Sequence, residues 1–364
     1  MNLVDIKINC RYYRGDIPCK PNKLYNAHCV NEKGNDCSYY EPTNQKILII
    51  KLGAIGDVIR STPILESIKK QYPEAKVYWL THTPSIVPEN VDVVLKFNSE
   101  GLTFLEEVNF DIIYNLDKDK EACALINKLS SKVKKGFILK EGIPFPADEG
   151  AVHKYFTGIF DDISLQNKKN YIEEIFEICG FKFNGERYIL SSFSQYDNAW
   201  NLDKSKKIIG LNTGCGGRWT SRLWSNKNWI ELAKTLIKKN YEVLFLGGEL
   251  EDEKNKYFAD QTGGKYFGHF HLEKFINLVG QCDLIVTGVT MAMHITIGLG
   301  KKIVLFNNIF NPYEFELYGL GEIIQPSKEC KCFYKPVCVN DEYKCMEYIE
   351  VGRVIETIDK LFSK

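Results

Sequence analysis

The stretch Lys46–Pro63, KILIIKLGAIGDVIRSTP, constrains the fold of this chain more than any other. Ile47, Leu48, Ile49, Ile50 and Leu52 form a short apolar run that reads as a buried strand. Gly53 and Gly56 follow in a turn, and an apolar-periodic run after them reads as a helix. Strand, glycine turn and helix open a βαβ unit, and open α/β sheets bind ligands beyond the carboxyl ends of their strands. Asp57 falls at the turn-to-helix junction, where a carboxylate can cap the helix and also meet a ligand.

The same alternation runs on through the chain. Further strands are expected at 76–81, 92–97, 111–115 and 133–139, with helices at 57–71, 119–130 and 167–180. A polar stretch over 185–206 reads as a linker. Strands then recur at 207–212, 241–247, 283–288 and 302–307, with helices at 226–239, 250–260, 272–280, 291–299 and 349–362. This is an α/β chain of two doubly wound halves, whose natural ligand site is the cleft between them. Residues 1–45 show no periodicity that would support a core; if ordered, they need a cross-link.

Composition narrows the function classes. The 47 basic and 47 acidic residues balance, which argues against a nucleic-acid binder. No apolar run reaches the length of a membrane span, and the N-terminus has no apolar secretory core, so the expected compartment is the cytoplasm. Arginine is scarce, with seven in all, which makes Arg60, Arg218 and Arg222 in glycine-rich or loop-proximal stretches conspicuous.

The second half carries the phosphate chemistry. Its first strand ends in Thr213-Gly214-Cys215-Gly216-Gly217, a turn that presents unpaired amides and lets a diphosphate approach closely, with Arg218 and Arg222 to pair the oxygens. It lacks the Gly-Lys-Ser/Thr of a P-loop. Two more strand ends are candidates: the carboxylates in Leu246–Glu251, placed to hold a sugar hydroxyl, and Thr287–Ile295, whose His294 could meet a phosphate or a sugar.

Five motifs in order carry a family resemblance: GAIGDVIRSTP at 53–63; NTGCGGRW at 212–219 with RLWSNKNW after it; L-G-G-x-x-E at 246–251; T-G-x-T-x-x-M-H at 287–294; and F-x-x-x-x-x-P at 306–312. Over roughly residues 46–350 the chain resembles glycosyltransferase family 9, the ADP-heptose:lipopolysaccharide heptosyltransferases. The resemblance implies a GT-B architecture, two Rossmann-like domains facing across a cleft. It places the acceptor domain at 46–190, the nucleotide-sugar domain at 207–345, and a last helix, 346–364, returning to the first domain. It also implies an inverting, metal-independent transfer of a sugar, foremost heptose from ADP-heptose, to a cell-envelope glycan or glycolipid, with peripheral contact at the inner membrane face. Asp57 takes the role of general base. Gly53, Gly56 and Arg60 fall on the acceptor side, while Thr213, Gly214, Arg218, Arg222, Glu251, Thr290, Met293 and His294 match positions around the nucleotide-sugar.

The chain departs from the family at Val289 and Met291, where many members carry Asp and Gly. That change leaves two other readings open: a different nucleotide-sugar donor, or a non-catalytic nucleotide-sugar binder. Eight of the twelve cysteines gather at the chain's ends. Cys330, Cys332, Cys338 and Cys345 have a spacing suited to a tetrahedral zinc or iron site, with free thiols or disulfides as the alternatives. Cys10, Cys19, Cys29 and Cys37 form a second, less specific set.

Overall fold

The computed structural model describes residues 2–31 and 33–363. It forms two compact units: one joins the chain up to Leu52 with Ile64–Ala151, the other joins Gly53–Pro63 with the chain from Val152 onward.

The first unit is built on six strands: β1 Gln45–Ile50, β2 Ala75–Thr81, β3 Val93–Lys96, β4 Phe110–Asn115, β5 Ser131–Lys140 and β6 Ile143–Pro146. Their order is β3-β2-β1-β4-β5-β6, parallel except for the β5–β6 hairpin. Ile47 to Ile50 are wholly buried, as a central parallel strand covered on both faces requires. Where β1 ends, Lys51 Nζ and the Leu52 amide both donate to the buried Asp117 carboxylate, which pins the chain's exit from the sheet. Burial pushes the Asp117 carboxyl up from its ordinary value even with the Lys51 ammonium beside it. Removing one partner of such a pair costs about 3–5 kcal/mol.

The second unit holds five parallel strands: β7 Ile208–Asn212, β8 Glu242–Leu246, β9 Leu284–Gly288, β10 Lys302–Phe306 and β11 Gly321–Ile324. Their order is β11-β10-β9-β7-β8. The chain runs from β7 to β8 on one side and continues at β9 on the other, so the strand order reverses at the carboxyl ends of β7 and β9. That is the switch point at which sheets of this kind bind ligands.

Several sequence expectations change here. The helix expected over 57–71 is two helices, Ile55–Ser61 and Ile64–Gln71, because Pro63 has no N–H to continue the first. Strands β6 and β11 were not expected. The two prolines of Ile143–Pro146 confine it to an edge, and β11 has only two large apolar residues. Gly321 is required in β11, since a Cβ there would lie 1.8 Å from the Ile303 carbonyl oxygen.

The expected return of 346–364 to the first domain is corrected. The helix Val351–Ser363 buries Val354, Ile358 and Leu361 in the second unit's own core, with Val304, Phe306 and Ile324. Its one apolar stripe is used there. The expected boundary at 190 also shifts to 151/152. Asn311 Nδ2 donates to the carbonyls of Ser164 (2.7 Å) and Asn167 (2.8 Å), tying the segment after Val152 to the second unit. Among the described residues no helix is long and apolar enough to cross a membrane.

Candidate functional site

A cavity of about 500 Å³ lies at the carboxyl ends of β7, β8 and β9. One wall is backbone: Gly214, Cys215 and Gly216 after β7, Gly247 and Gly248 after β8. Another is the start of helix Met291–Gly298, with Thr290 at its cap position, so that Met291 and Ala292 bring the unpaired amides of a helix N-terminus to the cavity. Phe270, Leu272 and Phe275 add an apolar wall.

Arg222 stands on this cavity. Its Nη1 donates to the Val289 carbonyl and its Nη2 to the Cys215 carbonyl at 3.1 Å, while its buried Nε has no hydrogen-bond partner among the described residues. Burial, against only a weak effect of the Cys215 thiol, pushes the guanidinium down to about 10. A desolvated cation held by two carbonyls at a wall of amides is an environment that an anion stabilises. Lys254 adds a second cation nearby: its ammonium donates to the Thr213 carbonyl at 3.0 Å, and burial lowers its pKa.

The glycines have duties other than the one read from sequence. A Cβ on Gly214 would lie 2.1 Å from Glu251 Cδ, and one on Gly247 would lie 2.6 Å from Glu251 Cβ. Their bareness makes room for Glu251, whose Oε2 accepts from the Gly248 amide at 3.0 Å. The carboxylate thus fixes the β8 turn and also lines the cavity.

Asp57 lies in helix Ile55–Ser61, which packs along Met291–Gly298. A Cβ on Gly56 would sit 2.4 Å from His294 Cδ2, so the bare glycine permits the close approach of the two helices, while one on Gly298 would press on Leu190 Cβ at 3.1 Å. His294 is buried, and desolvation together with the nearby Arg60 pushes its imidazole down to about 3, so it stays neutral. Its ring lies against Tyr188, with centroids 6.2 Å apart. The Asp57 carboxylate remains about one-third exposed, and its Oδ1 accepts from Arg60 Nη2 at 2.8 Å. Arg60 Nη1 donates to Glu314 Oε1 at 3.1 Å, and its guanidinium lies 3.3 Å from the centre of the Tyr171 ring. Ile55, from the first turn of the Asp57 helix, lines the cavity.

The structure therefore brings Gly214, Arg222, Glu251 and Thr290 to one cavity. Several other expected residues lie elsewhere. Thr213 turns its hydroxyl inward to Asn255 Oδ1 at 2.6 Å, leaving its carbonyl for Lys254. Arg218 is exposed beside the Trp219 ring. Met293 is core, 1 % exposed, and the neighbouring Met291 and Ala292 reach the cavity instead. His294 and Gly56 serve the helix crossing. Arg60 is committed to two carboxylates. Gly53, at the end of β1, leads into the Asp57 helix. Sequence reading missed the apolar wall at Phe270, Leu272 and Phe275; only the aromatic density of 266–275 hinted at it.

Among the described residues no disulfide joins any of the twelve cysteines. Cys332 and Cys338 place their sulfurs 3.7 Å apart, with the Val339 amide donating to Cys332 Sγ. Asn308 Nδ2 reaches Cys345 Sγ at 3.3 Å and Cys330 Sγ at 3.8 Å. The Cys330 thiol bonded to Cys345, with Asn308, lowers the Cys345 pKa. Cys10, Cys19, Cys29 and Cys37 line one small cavity with His28. Among the described residues no three His, Cys, Asp or Glu side chains are gathered closely enough to hold a metal ion.

Comparison with known proteins adds the following. The model of glycosyltransferase family 9 (heptosyltransferase) matches residues 103–319. Lipopolysaccharide heptosyltransferase 2 of Escherichia coli K12 is 21 % identical over 299 residues, spanning 71 % of this chain and 81 % of the relative. Among solved structures, a family 9 glycosyl transferase from Veillonella parvula superposes with a TM-score of 0.67 at 18 % identity, covering 89 % of this chain and 98 % of that one. The E. coli ADP-heptose LPS heptosyltransferase II gives 0.64 at 18 % identity, over 87 % and 98 %. The fold is of the GT-B class.

Proposed function

The chain belongs to glycosyltransferase family 9 and is a glycosyltransferase, and on that premise we propose that it transfers heptose from ADP-heptose, with inversion, to a hydroxyl of a cell-envelope glycan or glycolipid. The relatives' names supply the donor and the class of acceptor. The observation that carries the reading is Arg222, a desolvated guanidinium that donates to the Val289 and Cys215 carbonyls and meets no carboxylate among the described residues, beside the amides of a helix N-terminus.

In this reading the diphosphate lies on the Gly214–Gly216 turn and the start of Met291–Gly298. The acceptor oxygen attacks the anomeric carbon, and its proton passes to the Asp57 carboxylate. The bond from that carbon to the diphosphate oxygen breaks, and the electron pair leaves with ADP. Arg222 and the helix amides stabilise the developing charge. No metal takes part in this step.

A second reading, transfer from another nucleotide-sugar, rests on Met291. Its side chain lines the cavity where many family members carry glycine. Thermal shift and turnover with ADP-heptose, UDP-sugars and GDP-sugars decide between the two. ADP-heptose is expected to raise the unfolding temperature and to be consumed, with Asp57→Asn lowering kcat about 10²–10⁴-fold while the thermal shift persists. Stabilisation by UDP-sugars alone selects the second reading; binding without turnover makes the chain a nucleotide-sugar binder.

The cysteine sets are assigned a structural role. The 3.7 Å separation of the Cys332 and Cys338 sulfurs matches the edge, about 3.8 Å, of a tetrahedral thiolate site around zinc. Closing the four ligands requires Cys330 and Cys345 to turn toward that pair. One equivalent of zinc or iron per chain, lost in Cys332→Ser, is the expected result of metal analysis. A metal-free protein with eight alkylatable terminal thiols refutes the assignment.

A further inference from the structure

Arg60 forms an ion pair with the proposed base, and its surroundings are built. It is buried, with its guanidinium carbon 3.3 Å from the centre of the Tyr171 ring. Its two ends meet two carboxylates, Asp57 at 2.8 Å and Glu314 at 3.1 Å. Glu314 is itself held, accepting from the Tyr334 hydroxyl at 3.2 Å, in a turn that Asn311 caps. A cation tied at one end to a fixed carboxylate and clamped on a ring has little freedom, so the oxygen it bonds at its other end shares that restriction.

We propose that Arg60 is a positioning residue for the reaction: held by Glu314 and Tyr171, it fixes the Asp57 carboxylate in one orientation and keeps it ionised to accept the acceptor's proton. This rests on the assignment of Asp57 as base. In this role Arg60 acts through Asp57 and not on the reacting atoms. Its two carboxylates divide its charge, so Glu314 sets how much of it Asp57 feels. The other titratable groups facing the pair are Tyr171, Tyr188, His294 and Tyr334, with Glu316 beyond Tyr188 and Lys154 against the Tyr171 ring. Burial holds the Tyr188 phenol and the His294 imidazole neutral through the working pH range, which leaves Glu314 as the group that modulates the pair.

The signs follow. Without Arg60 the Asp57 carboxylate protonates more readily, and without the Glu314 charge it protonates less readily. The test measures kcat and KM for transfer from ADP-heptose to water between pH 4 and 8. In Arg60→Gln, kcat is expected to fall at least about tenfold with KM within about twofold, and the acid limb of kcat/KM to rise by about 1–3 pH units. In Glu314→Gln the limb moves the other way, and Arg60→Lys restores it toward wild type at reduced kcat. An acid limb unmoved in Arg60→Gln overturns the proposal.

Asp57→Asn separates the two assignments. Full activity in that variant removes Asp57 as base and, with it, the positioning role. An inactive Asp57→Asn beside an unshifted Arg60→Gln limb removes the positioning role alone. If ADP-heptose is not turned over, the Asp57→Asn/Arg60→Gln cycle in thermal unfolding at pH 7 decides. The proposal requires the double variant to lose less than the sum of the singles, and additive losses overturn it.

Discussion

Arg60 and Arg222 both follow a glycine turn at the carboxyl end of a first strand, β1 and β7, and both are shielded from solvent. Arg60 meets Asp57 and Glu314, and those carboxylates outweigh its desolvation, so its pKa rises. Arg222 meets two carbonyls, and desolvation wins, pushing it down to about 10. The first cation is neutralised by the fold itself; the second, in the proposed function, is left for a bound diphosphate to neutralise. That difference in partners separates the two proposed roles, organising a site and receiving a ligand, which residue type and position along a turn do not.

The comparison can be broken from the Arg222 side first. Arg222→Met is expected to weaken ADP binding by about 10–100-fold, the loss of charge-assisted hydrogen bonds worth roughly 1.5–3 kcal/mol. The ligand-free protein should not lose stability. A guanidinium at about 10 in the fold against an ordinary 12.5 costs the fold on the order of 3 kcal/mol below pH 10, and methionine removes that cost. A falling melting temperature with unchanged ADP affinity would show that Arg222 is neutralised internally, like Arg60.

A smaller effect tests the neutral neighbour of Arg60. His294 sits at about 3 in the fold against 6.5 ordinarily. Below pH 6.5 the unfolded chain takes up a proton that the fold refuses, so stability falls as pH drops. At pH 5 the loss is about 2 kcal/mol. His294→Asn should flatten that acid limb in urea titrations at pH 5 and pH 7.5; an equally steep limb would place a proton on His294 in the fold.

The glycines sharpen the contrast further. Gly56→Ala drives a methyl group into a buried, fixed imidazole and should cost about 1–3 kcal/mol by urea unfolding. Gly214→Ala meets the carboxylate end of a side chain that can swing aside. It should cost less than Gly56→Ala while weakening ADP binding, because Glu251 then releases the Gly248 amide. Equal stability losses would mean that the two turns are equally rigid.

Much of the fold was legible from the sequence because buried parallel strands announce themselves. Ile47–Ile50 and Leu284–Val286 are continuous apolar runs closed by glycine or polar turns, and nothing else in the chain competes for that reading. The edge strands were not legible, since Ile143–Pro146 and Gly321–Ile324 bury little and so carry little pattern. Strand-end position pointed to the Gly214 turn, Glu251 and Arg222, which the structure gathers around one cavity. It could not say which way a side chain turns. Thr213 faces inward to Asn255, Met293 faces the core while Met291 faces the cavity, and Arg60 faces Glu314, 254 positions away. Such pairings depend on tertiary contacts that no local pattern encodes. The last helix was misplaced for a related reason: its amphipathic stripe requires some sheet to cover but does not say which.

The segment Gly53–Pro63 packs with the second unit although both its flanks, Leu52 and Ile64, belong to the first. The second unit is therefore not a contiguous stretch of gene. A fragment beginning at Val152 would lack the helix that covers His294 and the guanidinium that neutralises Glu314, and it would expose both. Recombination between relatives with crossovers at 52 and 63 would, like a single crossover near 151, pair one parent's Asp57 and Arg60 with the other parent's Glu314, Tyr171 and His294. In such chimaeras the eleven residues 53–63, rather than the remainder of the first unit, are expected to decide compatibility.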